Sequence, residues 1–142
     1  MEYRIRRRNT HRTAKASALI QLPNEIKNLV EHGEIESKKG PVLTTAIIAG
    51  TQAVKKTHDL IPFCHPLSIN SCDISIDFND ESNLVVTCTV GIDAKTGVEM
   101  EALTGVSVAS LTIYDMCKSI SHEIIISDIQ LLEKTGGKSD IS

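Results

Sequence analysis

The chain has 142 residues, 41% hydrophobic and 23% charged, with a formal net charge of −3. A chain of that length fits one domain, residues 1–142, and can bury about two-thirds of the surface it exposes when unfolded, so it needs no staple. Two Phe, two Tyr, no Trp and a pI of about 5.9 argue against a nucleic-acid binder, which wants a basic excess and rings for stacking.

No stretch approaches the ~18 consecutive apolar residues of a membrane span. Cys64, Cys72, Cys88 and Cys117 form no CxxC pair, so a structural zinc is not expected and no metal ligands are assigned. Reduced thiols in a cytoplasm are the default.

In chain order, residues 1–16 are polar and basic, with Arg4 to Arg12 as the one basic run, and read as a flexible arm. Residues 18–22 read as a short strand. Pro23 can open a helix over 23–31, with Ile26, Leu29 and Val30 on one stripe and Gly33 at its end. A longer helix is predicted over 42–57, apolar around most of its circumference and hence buried, with Lys55 and Lys56 complementing its dipole. Pro62 and Pro66 make helix improbable around His65. Residues 72–78 alternate, residues 79–83 form a turn, and residues 84–92 form a β-branched second strand, together a hairpin. A long, largely buried helix covers 99–120, a last strand 124–132, and a Gly-rich loop 135–139. This order predicts an α+β sandwich, an antiparallel sheet packed against helices.

Three polar-studded segments, 59–67, 95–118 and 131–139, interrupt this apolar chain and point to one active site for a small phosphorylated molecule. In the first, His65 is held between prolines, where its ring can accept or donate a proton and the backbone of Phe63 and Cys64 is open to a ligand. A structural turn with a hydrogen-bonded His is the plain alternative. In the second, Glu99 and Glu101 flank Met100 at a helix start. The helix dipole alone favours carboxylates there, but acceptor-only groups also suit the N–H edge of a heterocycle. Further along, Asp115 and Lys118 share a helix face, either as a surface ion pair or as a charged pair kept in apolar surroundings for function. Lys38-Lys39-Gly40 and the Lys134 to Ser139 stretch put lysines beside glycines, which suits phosphate oxygens. Gly137-Lys138-Ser139 is not a P-loop, because the first glycine of that motif would fall at Leu132.

Helix geometry adds a constraint. At 100° and 1.5 Å per residue, Glu101 and Asp115 project within about 40° of each other but lie roughly 21 Å apart. Either the substrate is long or two subunits share a site, so an oligomer with interface active sites is expected.

Together, "KGPVLTTAIIAGTQAVKKTHDLIPFCHPL", "KTGVEMEALTGVSVASLTIYDMCK" and "LLEKTGGKS" closely resemble the MoaC family over residues 10–139. The resemblance implies a ferredoxin-like subunit in a homohexamer built of dimers, with sites at subunit interfaces. It implies a phosphorus–oxygen lyase of molybdenum cofactor biosynthesis. The substrate would be (8S)-3′,8-cyclo-7,8-dihydroguanosine 5′-triphosphate and the products cyclic pyranopterin monophosphate and pyrophosphate. No resident cofactor is implied, although Mg²⁺ can accompany the triphosphate.

By motif match, Asp115 is the leading catalytic residue, with Lys118 and Lys39 as further catalytic positions. Phe63, Cys64, His65, Met100 and Glu101 match substrate-binding stretches, with Glu99 beside them, and Lys134 and Arg12 match further basic site positions. The chain departs from the family in "EYRIRRRN", where a "VDVSxK" element is common, and in Ile47, where the family carries a long polar residue. Two other classes compete. A non-catalytic nucleotide-binding module would have lost charged members of the constellation, yet Asp115, Lys118, Lys39 and Lys134 are all present. A nucleic-acid binder using the Arg4–Arg12 arm is opposed by the acidic pI.

Overall fold

The computed structural model describes residues 10–136. Its backbone is the four-stranded sheet β5-β6-β1-β7, antiparallel throughout, from β1 (Thr10–Gln21), β5 (Ser71–Phe78), β6 (Leu84–Ala94) and β7 (Ile125–Thr135). Two helices, α2 (Val42–Lys55) and α4 (Glu99–Cys117), pack on each other and on one face of the sheet, α4 over β1, β6 and β7 and α2 over β5. The long elements therefore run β-α-β-β-α-β with β1 in the interior, a ferredoxin-like arrangement, and the fold is the expected α+β sandwich.

Close helix packing rests on two glycines. A Cβ on Gly50 would lie 2.6 Å from Ile74 Cδ1 and 2.9 Å from the Gly105 carbonyl oxygen, and one on Gly105 would lie 2.8 Å from both Cys88 Sγ and Val54 Cγ2. Any larger residue would push α2 and α4 apart.

The N-terminal arm is corrected. Strand β1 begins at Thr10 and is interior, with Ala14, Ala16, Ala18 and Ile20 all buried on the inner face. Alternation makes it a strand, but alanines in the inward positions and His11, Arg12 and Lys15 nearby disguised it as polar. Residues 1–9, with Arg4 to Arg8, and residues 137–142, with Gly137, Lys138 and Ser139, lie outside the described residues.

The helix expected over 23–31 shrinks to α1 (Asn24–Lys27). The chain then turns into a small three-stranded sheet, β2 (Val30–Glu31), β3 (Glu34–Ser37) and β4 (Gly40–Pro41). His32 and Gly33 both have positive φ, 52° and 70°, as a two-residue hairpin loop between antiparallel strands requires. Helix α2 ends at Lys55 rather than Thr57, and a short α3 (Thr57–Leu60) follows. The helix is also less buried than its apolar content implies. Thr44, Ile48, Gln52 and Lys55 are exposed, leaving an amphipathic element with one face on the core.

The start of α2 has an unusual cap. Pro41 occupies the N-cap and its side chain makes no capping bond. Glu34 on β3 does so instead. Its Oε1 accepts the N–H groups of Ile35 at 2.8 Å and Leu43 at 2.7 Å, and its Oε2 accepts the N–H of Thr44 at 3.0 Å and the Thr44 hydroxyl at 2.8 Å.

Among the described residues, no helix is long and apolar enough to cross a membrane.

Candidate active site

The predicted site residues gather at the two ends of α4. At its N-terminal end the irregular segment after α3, which its prolines keep out of helix and sheet, lies beside the first turn of the helix. The two enclose a cleft of about 340 Å³ lined by Ile61, Phe63, Cys64, His65, Leu67, Thr96, Gly97, Glu99, Met100 and Glu101. Phe63 is 97% exposed, a bare ring at the mouth of the cleft. His65 is also exposed.

One detail of the first segment is corrected. The Cys64 N–H is not open to a ligand, because it donates to the Ile61 carbonyl at 3.1 Å. Asp59, the first residue of that segment, faces His58 at 3.4 Å and does not line the cleft.

Glu101 is only 3% exposed. Burial pushes its carboxyl above the usual carboxylate range, against smaller opposing effects from its own backbone N–H and from Cys64. The Cys64 thiol donates to Glu101 Oε2 at 3.4 Å. That thiol is itself raised, first by burial and then by the charge of Glu101. Glu99 lies one turn edge away, with Oε1 3.5 Å from Lys134 Nζ and Oε2 buried with no hydrogen-bond partner. A buried carboxylate oxygen without a donor is expensive unless something completes it, and this one borders the cleft.

A defect in a strand delivers Lys134 to this end. In the β1–β7 ladder Lys15 faces Glu133 but Ala16 faces Leu131, leaving Leu132 as an extra residue. Partners across a ladder point to the same face, and one inserted residue reverses the alternation. Lys134 therefore sits opposite buried Ala14, on the side of the helices, three positions from inward-facing Leu131. Lys134, expected beyond the end of the last strand at 132, is a residue of β7 itself. Arg12 lies on β1 near the same end, with Nε donating to the Ala94 carbonyl at 3.0 Å.

At the other end of α4, Asp115 receives two cations. Lys39 Nζ is 2.9 Å from its Oδ2 and Lys118 Nζ is 2.9 Å from its Oδ1. These bonds, Lys39 first, hold its carboxyl below the usual range. Lys39 comes from the two-residue turn between β3 and β4, where Ser37 Oγ accepts the Lys39 N–H at 3.1 Å and donates to the Gly40 carbonyl at 3.0 Å. The expectation that Asp115 and Lys118 are a charged pair within apolar surroundings is corrected. Both side chains are about half exposed, 50% and 49%, on the solvent stripe of a helix whose other faces are buried.

One chain thus brings together Phe63, Cys64, His65, Glu99, Met100, Glu101 and Lys134, and separately Lys39, Asp115 and Lys118, with roughly 21 Å of helix between the sets. Sequence reading missed Glu34. Its signal was Pro41, which opens α2 with no side-chain acceptor and so requires one from elsewhere. It also missed that Ile61 and Leu67 wall the cleft. Among the described residues, no group of three His, Cys, Asp or Glu is arranged to hold a metal ion.

Comparison with known proteins identifies the family. The sequence profile described as the MoaC family matches residues 5–137. A "Molybdenum cofactor biosynthesis bifunctional protein" of Synechocystis sp. is 60% identical over 135 residues, which are 92% of this chain but 39% of that protein. Proteins named "Cyclic pyranopterin monophosphate synthase" are 51% identical in Xanthomonas axonopodis pv. citri over 132 residues and 51% in Brevibacillus brevis over 130 residues, in each case covering 80% of the relative and 93% and 92% of this chain. The chain spans well under half of the bifunctional relative and most of the two synthases. On the family match and these identities, the chain belongs to the MoaC family.

Proposed function

We infer that this protein is a cyclic pyranopterin monophosphate synthase, a phosphorus–oxygen lyase of molybdenum cofactor biosynthesis. Its substrate is (8S)-3′,8-cyclo-7,8-dihydroguanosine 5′-triphosphate, and its products are cyclic pyranopterin monophosphate and pyrophosphate. The observation that carries this reading is the pairing, on one helix, of a recognition cleft and a two-cation carboxylate, in a chain about half identical to proteins of that name over four-fifths of their length.

The reaction makes two demands. The guanine-derived ring must open and reclose as a pterin, with several proton transfers. A hydroxyl must lose its proton and attack the α-phosphorus, forming one P–O bond while the bond to the departing pyrophosphate breaks. At the recognition end, Glu99 and Glu101 accept from the N–H edge of the base, His65 and the Phe63 ring contact the substrate, and Lys134 and Arg12 supply positive charge. At the other end, Lys39 and Lys118 neutralise the triphosphate and the charge that develops on pyrophosphate. Asp115 orients both ammoniums and takes part in proton transfer.

A single α4 cannot bring its two ends to one small substrate. The site is therefore composite, one end from each of two subunits, in a homo-oligomer read as a hexamer of dimers. No nucleic acid, membrane or resident cofactor enters this reading, and the setting is cytoplasmic. Incubating the purified protein with the cyclised triphosphate, and assaying both pyrophosphate and the fluorescent oxidised pterin, tests it. Stoichiometric appearance of the two is expected, and pyrophosphate without pterin would refute it.

A further inference from the structure

Lys39 reaches Asp115 from a short hairpin whose own strands are two and four residues long. Such a hairpin has little intrinsic stability, so something else must fix it. Pro41, which joins it to α2, has no side-chain acceptor to offer the free N–H groups of the helix. Glu34 sits at the root of the hairpin and accepts the Leu43 and Thr44 N–H groups, the positions a capping side chain ordinarily serves. It also accepts from the Ile35 N–H and the Thr44 hydroxyl. All four donors converge on one carboxylate five residues from Lys39, and the hairpin turn between them is closed by Ser37.

We propose that Glu34 is a positioning residue for the reaction: by clamping the β3–β4 hairpin to the first turn of α2, it sets Lys39 at its 2.9 Å contact with Asp115. Partial burial opposes charge on Glu34, but the N–H groups of Ile35, Leu43 and Thr44 and the Thr44 hydroxyl outweigh it and hold the carboxyl below its usual range. The clamp is therefore ionised at neutral pH. The negative charge also reaches the far end of α4. Cys117, two residues from Asp115, has its thiol pushed up to about 11, by burial first and by Glu34 second. Hairpin and α2 thus meet around this one side chain, and Lys39 carries the contact on to the C-terminal end of α4.

The proposal rests on the reading that Lys39 acts in turnover, and the test separates the two. Steady-state kinetics on the cyclised triphosphate would compare Glu34→Gln, Thr44→Val, Lys39→Ala and the double variant Glu34→Gln/Lys39→Ala. Glu34→Gln should lower kcat roughly tenfold or more with KM little changed, because a small displacement of a catalytic cation is costly. Thr44→Val, which removes one of the four bonds, should give a smaller loss of the same kind. The double variant should be no slower than Lys39→Ala alone, since Glu34 acts through Lys39. Wild-type kcat in Glu34→Gln, or a double variant slowed by the product of the two single losses, would overturn the positioning role. If Glu34→Gln does not fold, Thr44→Val decides, and an unchanged kcat there overturns it. Full turnover in Lys39→Ala would overturn the Lys39 assignment itself, and the positioning role with it.

Discussion

Helix α4 carries a carboxylate near each end, and the two sit in opposite surroundings. Glu101 is buried beside a thiol, and burial raises its carboxyl. Asp115 is half exposed between two ammoniums, and their hydrogen bonds lower it. Environment rather than residue type sets what a carboxyl can do. The buried group is set to share a hydrogen bond with a heterocycle, while the exposed one stays charged and holds the two ammoniums. In the proposed function, this difference separates recognition from charge handling along one helix.

The charge-handling end should give the largest effect. Asp115→Asn should lose roughly 10²–10⁴-fold in kcat while its thermal melt and substrate Kd stay near wild type, because the side chain is half exposed and Asn keeps its shape. Near wild-type turnover would contradict the assignment. Lys118→Ala and Lys39→Ala should each cost roughly 10²–10³-fold in kcat, the scale of one lost electrostatic donor. A change confined to KM would make them substrate anchors instead.

At the recognition end the sign of the stability effect differs. The Glu101 carboxyl is raised in the folded state, so its contribution to stability is present below the ordinary Glu range and lost as pH rises through the folded pKa. Glu101→Gln removes that loss. The variant should gain in melting temperature relative to wild type as pH is raised from 5 to 8, while binding substrate about tenfold more weakly. A melting difference that does not change with pH would contradict the buried, raised carboxyl. The smallest effect is expected for His65→Ala, a weaker substrate Kd with an unchanged melt, since the ring is exposed. An unchanged Kd would remove His65 from the cleft's function.

The sequence already exposed the β5–β6 hairpin, α4 and the proline-bounded segment, because alternation, a long Pro-free apolar run and paired prolines are local signals. Only the end of strand β1, within the predicted 18–22, was legible; its first part was hidden because the inward residues there are alanine, too small to mark a hydrophobic face. The β2–β3 hairpin was hidden because its turn depends on positive φ at His32 and Gly33, and His is no turn signal. The site residues were legible as chemistry, and their division between the two ends of α4 as a matter of helix rise alone. Only helix rise separated Glu101 from Asp115, and only the extra residue Leu132, a tertiary feature of the ladder, explains why Lys134 points toward the helices. Glu34 escaped because its role depends on a helix start eight residues beyond it.

The central claim is that the two ends of α4 serve one site drawn from two subunits. Co-expressing Asp115→Asn chains with Glu99→Ala/Glu101→Ala chains, and isolating the mixed oligomers through two tags, tests it directly. Each variant alone should be nearly inactive. If the site is composite, the mixed oligomers regain turnover, because some sites then combine an intact cleft with an intact Asp115, about a quarter of them for random equal mixing in a symmetric assembly. Mixed oligomers no more active than the sum of the two parents would contradict it.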